Sequence, residues 1–159
     1  MEPRSPLRAP LTPRREDLAA FLLGRWRVTR TINGGEGSFS GLAQFSEDDA
    51  TGLWWRETGR LRLGAHDGTA RRALAVTPTD RPGVWQVRFD TGAPFHLLDL
   101  RAGHWEAEHR CGPDTYRGRF VCDGPDRLTA TWRVTGPDRD DTIVSDYRRD
   151  AARRDGRGA

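Results

Sequence analysis

Asp17-Leu18-Ala19-Ala20-Phe21-Leu22-Leu23-Gly24-Arg25-Trp26-Arg27-Val28-Thr29-Arg30-Thr31-Ile32 changes its hydrophobic period halfway along, and the fold is decided there. Leu18, Phe21 and Leu22 stand at i, i+3 and i+4 and form one apolar helical stripe. Upstream, Thr12 offers an N-cap and Pro13 a first helical position, with Glu16 and Asp17 near the positive end. Gly24 stops the helix, because glycine tolerates the left-handed backbone a helix end often takes. Beyond it the period is two. Trp26, Val28, Arg30 and Ile32 share one face, and Arg25, Arg27, Thr29 and Thr31 the other. Arg30 is the charged member of an otherwise apolar face.

The alternation continues to residue 149, broken by Gly/Asp/Pro/Asn turns at Asn33-Gly34-Gly35, 48–52, His66-Asp67-Gly68, 79–83, 91–94, Gly112-Pro113-Asp114, 123–126 and Gly136-Pro137. The inward sets read Phe39, Gly41, Ala43, Phe45; then Trp55, Glu57, Gly59, Leu61; then Leu74, Val76; then Trp85, Val87, Phe89. Residues 95–100 are too apolar throughout to phase. The last third gives Trp105, Ala107, His109, Cys111; Tyr116, Gly118, Phe120, Cys122; Leu128, Ala130, Trp132, Val134; and Ile143, Ser145, Tyr147. One helix followed by an unbroken meander of short strands predicts an all-β, antiparallel up-and-down barrel of eight to ten strands, since closure removes the edges. Residues 1–11 read as a disordered leader, 12–149 as a single barrel domain and 150–159 as a disordered tail.

Charge narrows the function classes. All 26 basic residues are arginine, and the net charge of +3 is uneven. Residues 1–17 carry four Arg against three acids and 148–159 five Arg against two, so 18–147 are slightly acidic. A nucleic-acid-binding barrel concentrates Arg on its own surface, so no nucleic-acid partner is expected. No apolar run reaches the ~18 residues of a membrane span, and no N-terminal export signal is visible, so a cytoplasmic protein without a membrane partner is expected. With a turn near Pro113-Asp114, Cys111 would lie opposite roughly Tyr116 and not Cys122, so two free thiols are expected.

Phe21-x-x-Gly24-x-Trp26-x-x-x-Arg30, Gly41-x-Ala43-x-Phe45, Trp55-x-Glu57-x-Gly59, Phe95-His96-x-x-Asp99-Leu100, His109-x-Cys111-x-x-Asp114-x-Tyr116-x-Gly118-x-Phe120, Trp132-x-Val134-x-Gly136-Pro137 and Tyr147-x-Arg149 together resemble the family called domain of unknown function 6314, over roughly residues 18–149. The resemblance implies a lipocalin-like (calycin) barrel and no established activity. Gly24-x-Trp26 is also similar to the lipocalin and fatty-acid-binding-protein opening, which implies that Arg149 or Arg148 covers the tryptophan.

Two ionisable residues on apolar faces, Arg30 and Glu57, each need a partner, because an isolated buried charge costs several kcal/mol. They read either as a pair bracing the barrel or as a grip for an anionic group such as a carboxylate, with Glu57 orienting Arg30. His109 shares a face with Cys111 by the i, i+2 rule, and a tight hairpin brings Tyr116 back beside them, so His109, Tyr116 and Tyr147 join as polar contacts; Trp55, Trp85 and Trp132 supply flat apolar walls. Small inward residues (Gly41, Ala43, Gly59, Gly118, Ala130) suggest unfilled volume, and so a cavity above the ~300 Å³ of common ligand sites. The expected function is binding of a small, partly apolar molecule, with no metal or cofactor. The alternatives are an enzyme moving protons through His109, Tyr116 and Glu57, a haem barrel resembling the nitrobindins with His96 or His109 on the iron, and a structural barrel without a ligand.

Overall fold

The computed structural model describes residues 18–48 and 52–150. Helix α1 (Leu18–Leu22) enters β1 (Gly24–Ile32), and nine strands follow: β2 (Gly37–Glu47), β3 (Leu53–Leu63), β4 (His66–Pro78), β5 (Trp85–Phe89), β6 (Pro94–Leu98), β7 (His104–Cys111), β8 (Asp114–Cys122), β9 (Arg127–Gly136) and β10 (Arg139–Arg149). They form one sheet in the order β6-β5-β4-β3-β2-β1-β10-β9-β8-β7, every pair antiparallel. The sheet therefore curls until β6 and β7, its two ends, face each other. No ladder joins them. The seam is held instead by Trp105, whose Nε1 donates to the Leu97 carbonyl at 2.7 Å, and by Phe95 packed edge-on to His109. The result is an all-β, nearly closed barrel with a short N-terminal helical element.

The helix end is built as its sequence requires. Gly24 has φ +114°, a conformation that L side chains avoid, and it lets the chain turn from helix into strand. Trp26 is fully buried and donates Nε1–H to the Leu22 carbonyl at 2.8 Å, tying strand to helix. Arg149 lies 4.2 Å over the Trp26 ring and donates to the carbonyls of Phe21, Leu23 and Pro125. One cation thus satisfies carbonyls the short helix leaves open and lids the tryptophan. The Thr12–Pro13 cap, the leader, and the tail beyond residue 150 lie outside the described residues.

Two hairpins turn earlier than the sequence reading placed them. Leu63 pairs with His66, so the turn is Gly64-Ala65 and β4 begins at His66. Cys111 pairs with Asp114, and His109 is the residue opposite Tyr116. The physical reason is shared: Gly64 and Gly112 both have φ +58°, which permits a two-residue hairpin where a longer turn was read. Both cysteines are free. Cys111 and Cys122 sit at opposite ends of the β7–β8 hairpin, roughly 25 Å apart at ~3.3 Å per residue.

The inward faces of β1, β2, β3 and β4 line up in rows. Trp26, Ala43, Glu57 and Arg72 make one, Val28, Gly41, Gly59 and Ala70 the next, and Arg30, Phe39 and Leu61 the third. The middle row is nearly bare, and the third leans into it. A Cβ on Gly59 would stand 2.8 Å from Cζ of Phe39 and 2.7 Å from Cα of Gly41, so ring and backbone already occupy that space. The Arg30 guanidinium in turn lies 5.0 Å over the Phe39 ring. Gly59 makes room for Phe39, and Phe39 carries Arg30 toward Glu57, one row beyond.

Candidate functional site

Glu57 is the centre of the interior. It is 1% exposed, and both its oxygens are fully engaged. Oε1 receives Arg30 Nη2 at 2.8 Å and faces Arg72 Nη2 at 3.1 Å. Oε2 accepts from Trp55 Nε1 at 3.0 Å and from the Tyr147 hydroxyl at 2.6 Å. Burial pushes its carboxyl up, but Arg72, Arg30 and the hydrogen bonds outweigh burial and hold it below the ordinary range. Tyr147 is pushed well above its ordinary value by burial and by the neighbouring carboxylate, so it stays a neutral donor. Arg30 also donates Nε–H to Ser145 Oγ at 2.7 Å and Nη2–H to Tyr147 at 2.9 Å. Its Nη1 has no acceptor among the described residues. Two arginines share one carboxylate, so the cluster carries one unbalanced positive charge.

A cavity of about 160 Å³ opens beside this cluster. Arg30, Arg72, Ser145 and Tyr147 supply its polar lining; Phe95, Phe120 and Trp132 supply an aromatic wall, with His96 among them. No acidic residue lines it. It is smaller than the ~300 Å³ expected from the sequence. The inner glycines do not leave empty volume: Gly41 and Gly59 are covered by each other's strands, and a Cβ on Gly118 would meet the Trp132 ring at 2.8 Å. Of the small inward residues, Ala130 reaches the cavity wall. A cleft lined by Arg56, Arg71, Arg72 and Phe89, with the acids Glu57 and Asp90, shares Arg72, Leu74 and Phe95 with the cavity, where β4 runs on past the end of the short β5.

The aromatic wall depends on an irregularity in β6. Val87 pairs with His96 but Arg88 pairs with Pro94, so Phe95 is an extra residue on its strand. Such a bulge breaks the in–out alternation. Consecutive residues Phe95 and His96 therefore both line the cavity. Phe95 stacks between Phe89 and Trp132, at centroid distances of 4.6 and 5.1 Å. His96 packs against Phe120 and Trp132. Its Nδ1 lies 2.8 Å from the Leu97 carbonyl, which can only accept, so Nδ1 carries the proton.

Burial lowers the His96 pKa to about 4, with the charges of His109 and Arg72 adding to that and the Leu97 bond opposing it. The sign follows from linkage. The unfolded chain takes up a proton near pH 6.5 and the folded one does not until about pH 4, so stability falls as pH drops through that window. The loss is roughly 3 kcal/mol at ~1.4 kcal/mol per pH unit. Denaturant unfolding of wild type and His96→Phe from pH 7 to 4 checks it: the substitution should remove most of the slope.

The residues singled out from sequence are distributed unevenly around this site. Arg30, Trp55, Tyr116, Trp132 and Tyr147 line the cavity, and Glu57 stands directly behind Arg30 and Arg72. Tyr116 is at the rim, where its hydroxyl accepts from Arg139 Nη1 at 2.8 Å. His109 is edge-on to Phe89, Phe95 and Tyr116 and does not line the cavity. Trp85 is buried in the core opposite Leu98, away from it. Sequence reasoning missed Arg72, though extending the Leu74–Val76 alternation back one step places it inward. Residues 95–100 gave no phase because the bulge interrupts it.

The cavity is too small for a porphyrin macrocycle, so the haem reading finds no room. Glu57 accepts three hydrogen bonds and is paired with two arginines, which hold its carboxyl below the ordinary range and make it a poor proton acceptor.

The fold is shared with a solved protein of low sequence similarity. The S-type phycobiliprotein lyase CPES from Guillardia theta superposes with TM-score 0.67 at 10% identity, covering 86% of this chain and 93% of that one. A de novo designed fluorescence-activating β barrel aligns with TM-score 0.49 at 12% identity over 84% of this chain and 98% of its own. No curated protein matches the chain in sequence. Residues 22–149, from the last helical leucine to the arginine that lids Trp26, match the family of unknown function DUF6314, and the chain belongs to that family.

Proposed function

We propose that this barrel binds a small molecule bearing an anionic group, with Arg30 and Arg72 as the cationic contacts. The observation that carries the reading is the charge of the wall: two arginines line the cavity, no acid does, and the single carboxylate behind them already accepts three hydrogen bonds and pairs with both arginines. Nη1 of Arg30 and the half-exposed Arg72 head are the donors left for a ligand. A carboxylate there gains charge-assisted hydrogen bonds from groups already held in place, so little ordering is needed on binding. The adjoining cleft carries three arginines, Arg56, Arg71 and Arg72, against two acids, Glu57 and Asp90, a net positive balance that favours approach of an anion. Size limits the ligand, since a cavity of ~150 Å³ holds a molecule about as large as benzene.

Calorimetric titration of the full chain with benzoate and with isosteric, neutral benzamide tests this. Benzoate should bind at least about tenfold more tightly, as charged hydrogen bonds are worth more than neutral ones, and Arg72→Gln should remove the difference. Equal affinity for the two, or no binding of either at millimolar concentration, would refute the reading.

A further inference from the structure

One polar group of the cavity has no part in the anion site. His96 lies on the aromatic wall, among Phe95, Phe120 and Trp132, while the arginines belong to the polar lining. Its Nδ1 proton is committed to the Leu97 carbonyl. In the neutral ring Nε2 is then an acceptor, and it has no hydrogen-bond partner among the described residues. It is not sealed either: among the described residues, the one buried side-chain polar atom without a partner is Nε of Arg25. Nε2 therefore reaches open space, and the space that His96 borders is the cavity. The bulge at Phe95 brings this acceptor inside, beside a wall of stacked rings.

We propose that the cavity takes a compact, largely apolar acid, of about the size of a single ring, that carries a hydroxyl or N–H group away from its carboxylate, and that His96 Nε2 accepts the hydrogen bond from that group. The inference rests on the anion reading above and adds the ligand class to it. The arginines hold the carboxylate, and Phe95, Phe120 and Trp132 give an apolar lining for the rest of the ligand. His96 discriminates against ligands whose far end is apolar or offers only lone pairs, because an acceptor facing an acceptor gains nothing. The cavity of about 160 Å³ fits one substituted ring.

The test compares benzoate with 3-hydroxybenzoate, 4-hydroxybenzoate and the corresponding methoxybenzoates by calorimetry and tryptophan fluorescence at pH 7.5. At least one hydroxybenzoate should bind about tenfold more tightly than benzoate, the worth of one neutral hydrogen bond. Its methoxy counterpart should not. Salicylate, whose hydroxyl is turned toward its own carboxylate, should behave like benzoate. His96→Phe should abolish the preference, so that the hydroxybenzoate and benzoate bind the variant alike. The ligand comparison needs no variant, so a misfolded His96→Phe protein leaves the test intact. Benzoate binding with no gain from either hydroxyl position would overturn this inference while sparing the anion site. Failure of every carboxylate would overturn both.

Discussion

Glu57→Ala should cost about 3–5 kcal/mol, because removing one member of a buried ion pair leaves its partner charged and uncompensated. In a domain of this size that is a fall in Tm of the order of 10 °C. The reason lies in the bonding. Arg30 is mostly buried, with a side chain 13% exposed, and Glu57 is its counter-charge. The same carboxylate terminates the Trp55 and Tyr147 donors, so the substitution orphans three buried groups at once. Glu57→Gln separates charge from packing. It preserves volume and should retain the larger part of the loss, whereas a merely packing role predicts almost none. The pH profile provides a second check. The folded pKa of Glu57 lies below its unfolded value of about 4.5, so the stabilisation is present above that pH and is lost as pH falls through the folded value. Wild type should therefore lose stability below about pH 4.5, and Glu57→Gln should lose less over the same range. A Glu57→Gln protein with an unchanged melting curve would show that Arg30 does not depend on this carboxylate.

Gly59→Val should be nearly as damaging, at roughly 3 kcal/mol or more, by overpacking and not by charge. A Cβ there would meet the Ser40 carbonyl oxygen and Cα of Gly41, and backbone cannot swing aside as the end of a long side chain can. It would also strike Phe39 at 2.8 Å, and Phe39 supports Arg30. The substitution should thus both destabilise the sheet between β2 and β3 and loosen the Arg30–Glu57 contact. Pairing it with Glu57→Gln makes the distinction measurable. If the Arg30 site is disturbed through Phe39, the double variant will be less destabilised than the sum of the singles, by about 0.5–3 kcal/mol. Strict additivity would mean that Gly59 matters only to strand approach.

Much of this architecture is legible in the chain. The switch at Gly24 from a helical stripe to a two-residue period, and the regular return of Gly/Asp/Pro turns, determine an up-and-down meander. Period-two alternation also assigns faces, because each strand has only two. On that ground alone Arg30, Glu57, Ser145 and Tyr147 read as inward, and in the folded barrel they meet. Trp26 is legible in the same way, whereas its cover by Arg149 or Arg148 is what the likeness to the lipocalin opening implies.

What alternation cannot supply is which inward residues touch. Arg30 reaches Glu57 across a row of glycines from a different level of the barrel, and that diagonal depends on how the strands are offset and on Phe39 lying over Gly59. The glycines themselves were ambiguous. In one dimension a missing side chain looks like empty volume, whereas in the barrel it is where backbones and rings close in, which is why the cavity is small. The β6 bulge hides equally well. One extra residue inverts the phase of everything beside it, so an apolar run from 95 to 100 gives no sign that Phe95 and His96 both turn inward. The sequence by itself determined most of the strands and their faces, and placed Arg30 and Glu57 inward. The tertiary structure alone decided that Arg72 joins Arg30 on one carboxylate, that His109 and Trp85 stand apart from the cavity, and that His96 borders it, because strand offset and bulges act between segments far apart in the chain.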